Sequence, residues 1–111
     1  MPTASKKLGS YKTSGTREIK IIYTVPVGYR TIVKEIAIYS ESATAALLVQ
    51  VWARDATTQH SIWLIREDLA PSTPLQRSSW MVLEAGDELH VAAAGPDCDF
   101  WISGSQLTIQ T

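Results

Sequence analysis

The stretch SSWMVLEAGDELHV, residues 78–91, decides the fold. It divides into two strands at a tight turn. Trp80, Met81 and Val82 lead into Leu83, residues 84–87 (EAGD) reverse the chain, and Leu89 and Val91 then alternate with Glu88 and His90. A period of two sends successive side chains to opposite faces of a sheet. Gly86 has no Cβ, so it can take a positive φ and turn the chain without a steric penalty. The pattern predicts a hairpin, and nothing in it carries reactive chemistry.

The same logic extends in both directions. Residues 94–99 (AGPDCD) read as a turn, and 100–110 (FWISGSQLTIQ) as the last strand, kinked or bulged at Gly104. Upstream, 67–74 (EDLAPSTP) holds two prolines that break any helix. HSIWLIR (60–66) alternates, with Ile62 and Leu64 on one face and Trp63 and Ile65 on the other. DATTQ (55–59) is a polar turn. ALLVQVWAR (46–54) turns Leu47, Val49, Val51 and Ala53 inward and Leu48, Gln50, Trp52 and Arg54 the other way. Residues 42–52 are the best helix candidate, yet Val49, Val51 and the flanking alternation favour strand.

Beyond the loop at 41–45, YRTIVKEIAIYS (29–40) is a long strand with Ile32, Ile36 and Ile38 on one face. Lys34 among them points to a bulge or an open end of the sheet. In EIKIIYTV (18–25), Ile19, Ile21, Tyr23 and Val25 share a face opposite Lys20, Ile22 and Thr24, before Pro26-Val27-Gly28 turns the chain. VPVGYRTIV (25–33) and LEAGDELHV (83–91) echo one another as strand, glycine turn and strand. Six or more short strands at regular spacing predict an all-β fold, an antiparallel β-sandwich of jelly-roll type over residues 18–111.

Residues 1–17 are polar, with Lys6, Lys7, Lys12 and Arg17 among Ser, Thr and Gly. They predict an extended N-terminal arm that orders against a partner through Lys6, Lys7, Tyr11 and Lys12. LGSYK (8–12) is a candidate short edge strand within it.

A chain of 111 residues is one domain, large enough to fold without staples. Its 45% apolar and 19% charged residues mark it as globular. A net charge of −1 speaks against a nucleic-acid binder that depends on a basic surface. No apolar run approaches the roughly 18 residues of a membrane helix, and MPTASKKLGS has no apolar core of a secretory signal. Cys98 is the single cysteine, so it forms no internal disulfide, and it reads as a small buried strand residue.

His60 and His90 fall in neither H-x-H nor H-E-x-x-H spacing, and no G-x-S-x-G elbow or phosphate-cradling glycine loop occurs. Asp87-Glu88, Asp97, Asp99 and Glu67-Asp68 suit turns better than the six to eight oxygens that calcium requires. The expectation is therefore no catalytic residue, no metal ligand, no cofactor and no enzyme. The tryptophans say more. Trp52, Trp63 and Trp101 fall opposite the aliphatic stripe. Such rings serve as interface anchors, as a second buried face, or as platforms for sugars.

YTVPVGYRTIVKEIAIYS (23–40), WMVLEAGDELHV (80–91) and FWISGSQLT (100–108) together resemble small virion proteins of tailed bacteriophages. The shared pattern is Y-T-V-P-x-G before an apolar strand, V-L-x-x-G-D before another, and a final S-G-x-x-L strand, in that order from residue 22 to 108. The resemblance implies a β-sandwich on a phage particle, a capsid decoration or minor capsid protein that binds the major capsid protein and forms a homo-oligomer, by analogy a trimer. It also admits a tail or neck accessory; a carbohydrate-binding receptor-recognition module is the competing reading, in which the exposed rings serve as a sugar platform. The resemblance implies a location in the virion, with synthesis in the host cytoplasm, and carries over no catalytic or metal residue.

Overall fold

The computed structural model describes residues 6–14, 18–41 and 46–109. Eight strands follow one another: β1 (Lys6–Lys12), β2 (Glu18–Thr24), β3 (Tyr29–Ser40), β4 (Leu47–Arg54), β5 (Ser61–Leu69), β6 (Pro74–Leu83), β7 (Glu88–Ala93) and β8 (Cys98–Thr108). The described residues contain no helix. Two antiparallel sheets of four strands result, sheet A in the order β1-β8-β3-β6 and sheet B in the order β2-β7-β4-β5. The first strand pairs with the eighth, the second with the seventh, the third with the sixth and the fourth with the fifth. The chain is thus one long hairpin with its tip at β4–β5, rolled up so that β8 meets β3 and β7 meets β4. That is a jelly roll.

Residues 78–91 divide into strands as their alternation predicts, but they are not a hairpin. β6 belongs to sheet A and β7 to sheet B, so residues 84–87 form a corner between sheets. Residues 26–28 do the same between β2 and β3. The two echoing corners lie side by side. The Val25 N–H donates to the Asp87 carbonyl at 3.0 Å, and the Gly86 N–H donates to the Val25 carbonyl at 3.0 Å. Gly28 and Gly86 take φ of 86° and 90°. The Asp87 carboxylate fixes its corner by accepting from the N–H groups of Glu84 and Ala56, each at 2.9 Å.

Phe100, Ile36, Ile38, Leu89, Ile102, Val49 and Val91 fill the space between the sheets. Cys98 is buried with them, and burial pushes its thiol pKa up. A polar chain ties the sheets at one end. Lys6 Nζ donates to Gln106 Oε1 at 2.8 Å, Gln106 Nε2 donates to the Tyr23 hydroxyl at 2.6 Å, and that hydroxyl lies 2.6 Å from Thr31 Oγ1.

The expected arm is corrected over its described part. Lys6–Lys12 is β1, paired with β8 from Lys6↔Gly104 to Lys12↔Asp99. Leu8 and Tyr11 pack against the core. Thr13 is buried, its hydroxyl donating to the Gly95 carbonyl at 2.9 Å and accepting from the Cys98 N–H at 3.0 Å. The rest of the expected arm, residues 1–5 and 15–17 with Arg17, lies outside the described residues.

Bulges set which side chains face out. In sheet A, Leu8 is unmatched on β1, Lys34 is unmatched against β8, and Ser79-Trp80 of β6 oppose Lys34 alone. These irregularities line up across the sheet, so Lys34 does mark a bulge. Gly104 sits on that line because a Cβ there would lie 2.0 Å from the Ile32 carbonyl oxygen. In sheet B, Ile22 of β2 and Leu64 of β5 are the extra residues. Each resets the alternation, as Lys34 does in β3, correcting three expected faces: Thr31 and Val33 are buried on the core side with Ile36 and Ile38, which puts Ile32 on the other face. Ile19 and Ile21 point to solvent while Tyr23 and Val25 pack inward, and Ile62 and Ile65 lie opposite Ala53 and Val51 on the inner side while Trp63 faces out.

Candidate interaction surfaces

One cross-strand row spans the outer face of sheet B. His90 is in register with Ile21 on one side and Trp52 on the other, and Trp52 is in register with Trp63. The Trp52 and Trp63 rings meet edge-on, centroids 4.9 Å apart, and Trp52 stacks on His90 at 5.2 Å. His90 is buried on this outer face because Trp52 covers it and Glu88 Oε1 holds its Nε2 at 3.0 Å. The flanks of the row are open, with Trp63 48%, Ile21 47% and neighbouring Ile19 68% exposed. Contiguous apolar side chains left in water on a sheet face mark interaction sites. Arg66 sits over the Trp63 ring at 5.4 Å and gives the patch a charged rim.

Sheet A carries the other rings. Trp101 is half-exposed on its outer face, with Lys7 Nζ 4.9 Å from the ring centroid. The three tryptophans expected at an interface thus lie on two opposite faces rather than one. Trp80, which was not singled out from the sequence, is the most exposed ring, and it stands at the β6 bulge with φ of 57°. Lys34 Nζ lies 5.3 Å from it. Its signal was parity: Leu83 faces the core, so Val82 and residues of its parity face out.

The expected partner-binding residues of the arm are each engaged within the fold. Lys6 bonds Gln106, Lys7 covers Trp101, and Tyr11 packs inward with Lys20 Nζ 5.5 Å from its ring. Lys12 pairs with Glu41 at 2.8 Å. The hydrogen bond to Glu41 raises the Lys12 pKa, and that from Lys12 lowers the Glu41 pKa. Burial, seconded by Glu41, raises that of Asp99 beside them.

Two grooves open on the surface. One of about 210 Å3 opens between β5 and β6, walled by Ile62, Met81, Val82 and Leu83. A wider one of about 610 Å3 runs past Trp101 and is bordered by Ser10, Lys12 and Asp99. Among the described residues, no three His, Cys, Asp or Glu side chains come together to hold a metal ion. No helix among them is long and apolar enough to cross a membrane.

No protein-family model matches the chain, and no curated protein sequence matches it. Solved structures do. A chain from Bacillus endospore appendages, described as forming a novel family of disulfide-linked pili, is similar with a TM-score of 0.55 at 9% identity, over 96% of this chain and 88% of that one. A chain of infectious bursal disease virus, Gx strain, gives 0.52 at 8% identity, over 95% of this chain and 32% of that one. A pentameric capsid protein isolated from metagenomic phage sequences gives 0.51 at 16% identity, over 90% of this chain and 62% of that one. This chain spans less than two thirds of the latter two. At such identities the likeness establishes the shared β-sandwich fold.

Proposed function

We propose that this protein is a structural component of a tailed-bacteriophage particle, a decoration or minor capsid protein that packs against the major capsid lattice and against its own copies, as a trimer. The observation that carries this reading is the pair of open flanks, Ile21 and Trp63, of the row Ile21–His90–Trp52–Trp63 on sheet B. The core is already closed between the sheets, so these side chains add nothing to folding by staying wet. They gain only when a neighbour covers them, at about 25 cal/mol per Å2 of apolar surface removed from water. Trp101 and Trp80 on sheet A offer a second contact face, and a lattice subunit needs more than one. Shells and pili are both built from repeated subunits, so the neighbours in fold support the same chemistry. The protein acts by binding, with no reaction of its own.

Mixing the purified protein with phage heads assembled without it tests this reading. Co-sedimentation is expected, at least ten-fold weaker for Trp63→Ala and for Ile21→Ser. It should persist in molar salt, because an apolar contact is not screened. Binding to isolated tails but not heads would move the protein to the tail or neck. Binding to neither would overturn the structural reading.

The groove beside Trp101 favours a second reading, a sugar platform that uses the ring with Ser10 and Asp99. Lys7 already occupies one face of that ring. Specific glycan binding that is lost in Trp101→Ala would establish this alternative.

A further inference from the structure

Trp80 is held against its own preference. A bulky residue at φ of 57° sits in the left-handed region that side chains with a Cβ avoid. Such a conformation costs on the order of 1–3 kcal/mol and persists where the structure has a use for it. Here it throws the ring out from the edge of sheet A, where it is 66% exposed. Within the fold the ring has Lys34 over one face, and no buried pocket receives it. Glycine would satisfy the same bulge without strain.

The three residues that follow Trp80 on β6 line a groove between β5 and β6. Its apolar walls are Ala53, Ile62, Met81, Val82 and Leu83, with Ile62 and Val82 half-exposed, and His60 and Asp87 also line it. Its volume is about 210 Å3. A cavity of about 150 Å3 accepts a benzene ring, so this one has room for an indole. Charge matches as well as size. Lys34 travels with the ring, and Asp55 stands at the groove. The Asp55 carboxylate accepts from the N–H groups of Thr57 and Thr58 at 2.8 and 2.9 Å, which holds its pKa below the ordinary value and keeps it charged. Arg54 on the same rim has its guanidinium taken by Gln59.

We infer that Trp80 is an anchor that enters the β5–β6 groove of a second copy of this chain, bringing Lys34 beside Asp55. This rests on the reading of the protein as a self-packing shell component and names the contact that joins its copies. The contact runs through a side chain rather than a strand ladder. Edge strand β6 is blunted by Pro74 at its start and by the bulge at Ser79-Trp80, and both oppose pairing between edges.

The test is sedimentation equilibrium of the full chain, with thermal melting alongside. Trp80→Gly removes the ring and the strain together. It should melt at the same temperature as the parent or higher, while self-association weakens at least ten-fold. Ile62→Arg fills the groove mouth at a half-exposed position and should weaken association as much, with the ring intact. Tyr39→Ala, at a half-exposed position opposite Pro74, should leave self-association unchanged. Equal association of the parent and both variants overturns the anchor, whether the groove is then filled by a peptide or by a small apolar molecule. A parent that is monomeric at about 50 μM, far above a micromolar Kd, overturns it too. Head co-sedimentation is measured separately, so the shell reading can stand when the anchor falls.

Discussion

Gly86 donates its backbone N–H to the carbonyl of Val25 at 3.0 Å, lacing the corner between β6 and β7 to the corner between β2 and β3. The chain crosses from one sheet to the other at both places. A displacement of either corner therefore disturbs the other, and both depend on a glycine at positive φ.

Gly86→Val and Gly28→Val should each destabilise the fold by about 1–3 kcal/mol, the cost of a β-branched residue at positive φ. The two should differ. A Cβ at Gly28 meets open space, whereas one at Gly86 lies 3.1 Å from the Ala56 Cβ. Urea unfolding should place Gly86→Val lower, and equal midpoints would show that the Ala56 contact adds no cost.

Gly104→Ala should cost about 3 kcal/mol or more, at the upper end of overpacking. The clash is with the Ile32 carbonyl oxygen, part of a backbone held in the middle of sheet A. A melting temperature within a degree or two of the parent would show that the bulge line yields easily.

Thr13→Val keeps the shape of the side chain but leaves the Gly95 carbonyl and the Cys98 N–H without their hydroxyl partner. Each buried group left unmade costs about 1–3 kcal/mol, so a loss of about 2–6 kcal/mol is expected in denaturant titration. Deleting residues 1–16 removes β1 altogether and strips the edge of β8. Loss of cooperative unfolding is the expected outcome, in place of a clean removal of an arm.

Asp99→Asn should stabilise the protein at pH 7. Burial raises the Asp99 pKa above its ordinary value of 3.8, so the folded state holds that proton more tightly than the unfolded state does. Stability from this group is present below the unfolded pKa and is lost as pH rises through the folded one. Asparagine removes the charge, and its amide can donate to Glu41 as the protonated carboxyl does. Its advantage in melting temperature should shrink as pH falls below 4, and an advantage that grows toward acid would reverse the sign.

Most strands were legible because one face of each meets the core, so the period of two survives in β4 and β7. Which sheet a strand joins was not legible, since alternation records a side and not a neighbour. The hairpin expected at residues 78–91 is a corner for that reason. Three bulges also hid faces: an irregularity at Ile22, Lys34 or Leu64 inverts everything beyond it. β1 was obscured by Lys6, Lys7 and Gly9. The glycine is there because a Cβ would come within 2.5 Å of the Ile22 carbonyl oxygen, where the edges of the two sheets touch. β5 runs through Glu67 and Asp68 to Leu69 because β4 supplies a ladder partner for each residue, which composition does not record. Of the interaction surfaces, the outward aim of Trp52, Trp63 and Trp101 was readable from parity. Trp80 was readable in the same way from Leu83 and Val82, and the division of the rings between two faces needed the topology.

The pairing of β1 with β8 also sets a schedule for the ribosome. Synthesis runs from β1 onward, yet β8 is the strand that belongs between β1 and β3 in sheet A. Until it emerges, β1 has no ladder partner and β3 is paired along one edge only. The β4–β5 hairpin can close early from local contacts, while the strands made first wait longest for theirs. Contacts this distant in sequence slow folding and leave strand edges bare in the nascent chain. A ribosome stalled before Cys98 would therefore hold a half-built sheet whose open slot fits the β8 of any neighbouring copy.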